Sequence, residues 1–147
     1  MCRPQNSLLV AASFLLMGQN LLAVDLKITL QARAGGHEQS ARSGQQAMPT
    51  LAAKRGDVFF AHWVVTNLAG SVSGITLHAF MDREGVTKPG AGALYETALV
   101  LDFQPGEQSK GEFRMPLRDP GTYVLRVEAV EASARPGPFA ALRVTVP

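Results

Sequence analysis

The sequence predicts an all-β fold, a sandwich of about seven antiparallel strands, and three observations carry the prediction. The stretch Val58-Phe59-Phe60-Ala61-His62-Trp63-Val64-Val65-Thr66-Asn67 holds the only Trp, two of the seven Phe and three Val, with no Gly or Pro, as a buried sheet strand requires. Leu26 to Arg33 alternates apolar and polar residues strictly, the period of a strand with one face on a core and one in water. Turn chemistry then recurs about every ten residues to the end of the chain, with no helical periodicity between.

Taken in order, the first strand is Leu26 to Arg33. Ala34 to Met48 follows, rich in Gly, Gln and Ser with little to bury, and reads as a long mobile loop. Lys54-Arg55-Gly56-Asp57 turns into the central strand. The Arg-Gly-Asp tripeptide inside it is the one that cell-surface integrin ligands display, but Gly and Asp are also what a turn into a strand needs. In the central strand Phe59, Ala61, Trp63 and Val65 form one apolar set, while Phe60, His62 and Val64 form another. Trp63 and Val65 are assigned to the core, and the second set either lies under a loop or forms an exposed patch that would mark a partner site. Asn67 begins the next turn, its side chain suited to bonding nearby backbone.

The third strand is Ile75 to Met81, with Ile75, Leu77, Ala79 and Met81 on one face, closed by Asp82-Arg83-Glu84-Gly85. Val86 to Ala93 reads as an edge segment or loop because Pro89 cannot donate to a ladder. Tyr95 to Leu101 is the next strand, ended by Gln104-Pro105-Gly106-Glu107. Gln108 to Leu117 alternates again. Asp119-Pro120-Gly121 turns into Thr122 to Ala129, with Tyr123, Leu125, Val127 and Ala129 inward. A Pro/Gly-rich link over Ala134 to Pro138 leads to the last strand, Phe139 to Val146.

The N-terminus reads as a signal peptide spanning residues 1–23, followed by one domain over 24–147. Arg3 lies in a short polar region, Leu8 to Met17 is an apolar run of about ten residues, and Leu21-Leu22-Ala23 offers a cleavage site after Ala23. The competing reading is an uncleaved anchor over Leu8 to Val24, which Gly18-Gln19-Asn20 interrupts. With cleavage, the destination is expected to be secreted or periplasmic, with no membrane span in the mature chain. The only Cys, Cys2, lies in this segment, so the mature domain is expected to be held by packing without a disulfide.

Short patterns after Lys54 resemble a known family. Gly56-Asp57-Val58 with Val64-Val65-Thr66-Asn67, then Leu101-x-Phe103-x-Pro105-Gly106-Glu107, then Asp119-Pro120-Gly121-Thr122-Tyr123-Val124-Leu125-Arg126-Val127, are similar to bacterial immunoglobulin-like domains of the CARDB (cell-adhesion-related) type. The resemblance implies an immunoglobulin-like or fibronectin-III-like sandwich with a binding, adhesive or accessory role outside the cytoplasm. It also implies that Tyr123 is a corner tyrosine whose hydroxyl bonds back to upstream backbone.

Composition narrows the function classes. The net charge is +2, falling to +1 when Arg3 leaves with the signal segment, and no Lys/Arg cluster of a nucleic-acid-binding face is visible. No Gly-x-Ser-x-Gly elbow, phosphate-binding Gly loop or zinc spacing occurs, which argues against an enzyme. The expectation is therefore an exported, monomeric or weakly associating module with no cofactor that binds a protein or glycan of the cell envelope. Its expected contact patch is Phe60, His62, Val64, His78 and Phe80, an aromatic surface with a polar handle. The alternative is a periplasmic copper-handling sandwich using His62, His78, Met81 and Met115 as soft and borderline ligands.

Overall fold

The computed structural model describes residues 25–85, 93–131 and 137–147. The expected signal peptide, the Pro89 segment and most of the Ala134 to Pro138 link lie outside the described residues. Among the described residues nine strands are formed: β1 (Leu26–Ala34), β2 (His37–Arg42), β3 (Thr50–Ala52), β4 (Val58–Asn67), β5 (Val72–Arg83), β6 (Tyr95–Phe103), β7 (Gln108–Pro116), β8 (Gly121–Val130) and β9 (Phe139–Val146). They build a four-stranded sheet ordered β2-β1-β4-β7 and a five-stranded sheet ordered β3-β9-β8-β5-β6. The all-β sandwich is thus present, with two corrections to its detail.

First, the expected loop after Ala34 contains a strand. Gly35 and Gly36 have φ of 54° and 85°, the pair of positive values a two-residue type I′ hairpin turn demands. This turn folds β2 back on β1, with Ala34 opposite His37 and Thr29 opposite Arg42. Second, the pairing is not wholly antiparallel. The chain then crosses to the other sheet, where the three residues of β3 run parallel to β9, Leu51 beside Val144.

Burial follows the predicted alternation closely. On β4 Phe59, Ala61, Trp63 and Val65 are buried, and on β8 Tyr123, Leu125, Val127 and Ala129 are. Phe113 of β7 is the aromatic hub between the sheets. Its ring lies 5.6 Å from that of Phe59 and 6.3 Å from that of Trp63, and it stacks on Tyr95 of β6 at 3.8 Å with the planes 7° apart. Burial pushes the Tyr95 hydroxyl above its ordinary range, and its hydrogen bond with Thr97 opposes this. Tyr95 therefore stays a neutral phenol over the physiological range.

Two polar devices fix the ends of the sandwich. The Arg55-Gly56-Asp57 tripeptide is a structural turn, with the Gly56 N–H donating to the Leu117 carbonyl at 2.7 Å and the Asp57 carboxylate accepting from the Lys54 N–H at 2.9 Å. Tyr123, only 2% exposed, donates its hydroxyl to the Asp119 carbonyl at 2.9 Å, the corner geometry the family resemblance implies. Tyr123→Phe keeps the buried ring and removes the hydroxyl that ties it to the Asp119 carbonyl. It is expected to cost about 1–2 kcal/mol and lower the melting temperature by about 4–8 °C, measured by thermal denaturation.

Candidate functional site

The outer face of the four-stranded sheet collects side chains from strands distant in sequence. Strand β4 sits between β1 and β7, so its outward residues acquire partners on both sides. Arg33, Phe60 and Arg114 form one row across the sheet, Gln31, His62 and Glu112 the next, and Thr29, Val64 and Lys110 the third. Strand β2 extends these rows with Glu38, Ser40 and Arg42. Phe60, His62 and Val64 are half-buried, each shielded at its base by these neighbours.

Phe60 carries the most specific arrangement. The Arg33 guanidinium lies 4.8 Å from its ring centroid and the Arg114 guanidinium 5.4 Å, one from each flanking strand. The His62 ring is 5.9 Å away along β4. Cation–π attraction holds both guanidiniums on the ring and leaves their N–H donors free to turn outward. The Phe60–Val64 ridge has a recess on each side. On the β7 side a shallow groove of about 520 Å³ is lined by Phe60, His62, Val64, Lys110, Gly111 and Glu112. On the β1 side a smaller one of about 140 Å³ is lined by Gln31, Arg33, Glu38, Phe60 and His62.

The electrostatics of this face are lopsided. Lys27, Arg33, Arg42, Lys110 and Arg114 point outward from it against Glu38 and Glu112, five cations to two carboxylates. None of the five cations belongs to an ion pair among the described residues.

The opposite face of the sandwich is neutralised by its own partners. His78 on β5 lies 2.9 Å from Glu96 and 3.3 Å from Glu128. Arg126 pairs with Glu128 at 2.9 Å and stacks over Phe139 at 3.9 Å. Arg143 pairs with Glu84 at 2.6 Å. A saturated network has few donors left for a ligand, so the candidate site is the other face.

This corrects the expected patch. Phe60, His62 and Val64 are brought together, but β4 and β5 belong to different sheets, so His78 and Phe80 lie on the far side of the molecule. Phe80 is also only 4% exposed, covered by the His78 ring at 4.5 Å and flanked in register by Glu96 and Arg126. The copper ligand set is not assembled either. His62 and His78 face outward from opposite sheets, Met81 is fully buried in the core, and Met115 packs against that core from β7. Among the described residues no group of three or more His, Cys, Asp and Glu is placed to hold a metal ion. Arg33 and Arg114 were invisible as site residues in the sequence, where each is one ordinary polar position of an alternating strand.

No protein-family model matches the chain, and no curated protein matches it. Among solved structures it is similar to the C-terminal domain of Wzt, at a TM-score of 0.47 and 10% identity over 80% of this chain and 70% of that one. It is also similar to a β-glucosidase from Listeria innocua, at a TM-score of 0.45 and 12% identity over 84% of this chain. The chain spans only 16% of that β-glucosidase. Among the described residues no helix is long and apolar enough to cross a membrane.

Proposed function

We propose that the chain is an exported, non-catalytic binding module that recognises a protein or surface glycan through the outer face of its four-stranded sheet. The observation that carries this is the row Arg33–Phe60–Arg114, an apolar ring clasped by two guanidiniums that have no carboxylate partner. Such a row offers a flat apolar contact edged by bidentate donors. The ligand it suits carries anionic groups beside an apolar surface, as an acidic polysaccharide or an acidic protein segment does. The resemblance to cell-adhesion-related domains supports the same reading.

The test is binding to an acidic polysaccharide such as polygalacturonate, a neutral one such as dextran, and the proteins of the host's own envelope. An acidic ligand is expected to be retained and to be released as salt rises. The double change Arg33→Gln and Arg114→Gln is expected to weaken binding at least about tenfold, roughly 1.4 kcal/mol, with a melting temperature within about 2 °C of the parent. Phe60→Ser should abolish binding with a similarly small effect on melting. If Phe60→Ser unfolds the domain, the ring is core and the face is not a ligand site.

A further inference from the structure

A two-sheet sandwich of this kind has four edge strands, and an unpaired edge is a template for another strand unless something blunts it. Three of the four are blunted. Strand β2 has six residues and carries Glu38 and Arg42, β3 has only three residues, and β7 presents Lys110, Glu112, Arg114 and Pro116. Strand β6 is not. It has nine residues, its one ladder partner among the described residues is β5, and Thr97 to Leu101 contains no charge, Pro or Gly.

The five-stranded sheet also overhangs the four-stranded one along β6. Leu99 is in register with the buried Leu77, so it points to the inner side, yet it is 55% exposed. Val100 on the outer side is 67% exposed. Near Tyr95 the sheets are closed by the stack on Phe113, but toward Leu99 they part over a cleft of about 180 Å³ bordered by Trp63, Leu77, Ala79 and Tyr95.

We infer that β6 pairs antiparallel with β6 of a second copy, joining two five-stranded sheets into one. Charge supports a copy as the occupant. A two-fold axis through Ala98 sets Thr97 opposite Leu99, Tyr95 opposite Leu101 and Glu96 opposite Val100, with no acid facing an acid. An axis through Leu99 would oppose Glu96 and Asp102 and is disfavoured. Each copy carries the same bare edge, so one contact satisfies both backbones and brings Leu99 of each over the open cleft of the pair. The interface is one strand wide, at the small end of specific contacts, so the dimer forms with rising concentration. The two-fold lies perpendicular to the joined sheet and therefore keeps both outer binding faces pointing the same way. Two ligand sites on one side multiply retention on a repetitive surface.

The experiment is the mass of the purified protein by analytical ultracentrifugation from about 1 to about 500 µM, a range chosen for so small an interface. The mass is expected to rise from one chain toward two. Leu99→Lys should hold it at one chain throughout, with a melting temperature close to the parent's because the side chain is already exposed. In a Cys2→Ser background, Ala98→Cys should form a disulfide-linked dimer on mild oxidation, since directly opposed strand residues have the Cα separation a disulfide spans. Thr66→Cys, on the other sheet, should not. A single-chain mass over the whole range overturns the inference. So does a dimer indifferent to Leu99→Lys, a dimer that vanishes when residues 1–24 are removed, or an open-ended series of larger species.

Discussion

Asn67→Asp is expected to be the most damaging single-atom change in the domain, lowering stability by about 3–5 kcal/mol and the melting temperature by about 10–20 °C. Asn67 is completely buried at the end of β4, where three stretches of chain converge. Its amide nitrogen donates to the carbonyls of Gly70 at 2.9 Å and Gln104 at 3.1 Å, and its side-chain oxygen accepts from the Ala69 N–H at 3.2 Å. Its backbone N–H donates to Glu107 and its carbonyl accepts from Gly106, so the β4–β5 and β6–β7 connections are both tied to one residue. Aspartate keeps the shape but replaces the donor of two bonds with an acceptor. Two carbonyls would then face an oxygen, and a charge would sit where no water reaches. Asn67→Ala should cost less, about 2–3 kcal/mol, because it deletes the bonds without adding repulsion. A buried carboxyl of this kind is held above its unfolded-state pKa, so the penalty is present at neutral pH and shrinks as acid restores a proton. Melting both variants at neutral and mildly acidic pH checks the ranking and the sign. An aspartate variant as stable as the alanine one at neutral pH would remove Asn67 as the anchor of this end.

Most of the architecture was legible because it rests on period-two alternation, and alternation is visible wherever one face of a strand is apolar. Seven strands met that condition, and their inward sets on β4, β5 and β8 are buried as read. Strand β2 failed it for a physical reason: His37, Glu38, Gln39, Ser40 and Arg42 are all exposed and only Ala41 is buried, so the segment has no apolar side to reveal. Its one sign is Gly35-Gly36, a hairpin dipeptide hidden inside a polar stretch.

The candidate site was half legible. The outward set Phe60, His62 and Val64 follows from parity within a single strand. What flanks it depends on which strands pair, and the Asn67 turn carries the chain from one sheet to the other. His78 would lie beside His62 only if consecutive strands were neighbours, and β4 and β5 are in different sheets. Register with β1 and β7, which supplies Arg33 and Arg114, is set by packing between segments far apart in sequence, and no local pattern encodes it.

Gly111→Val provides the sharpest conflict between local preference and packing. Gly111 lies in the middle of β7, an edge strand, where β-branched residues are ordinarily favoured by up to about 1 kcal/mol over Gly. Intrinsic preference alone therefore predicts a gain. The structure predicts a loss, because Gly111 stands directly opposite Trp63 in register and a Cβ there would collide with the indole ring at Cζ2, Cε2 and Nε1. Relief requires moving the indole: Trp63 is 6% exposed, packs on Phe113 and belongs to the core, so its ring shifts only by giving up those contacts, toward the cleft it borders. Close approach of a large ring to bare backbone is a recurrent reason for Gly within a strand. Overpacking of this kind costs about 2–4 kcal/mol, or about 6–15 °C in melting temperature, with Gly111→Ala near the lower figure. Displacement of the only Trp gives an independent readout, a red shift of its fluorescence in the folded variant as the ring moves toward water. The same displacement would deform the groove floor between β4 and β7, so ligand affinity is expected to fall together with stability. A Gly111→Val domain that melts above the parent, with unchanged emission, would mean that β7 stands farther from Trp63 than the register places it.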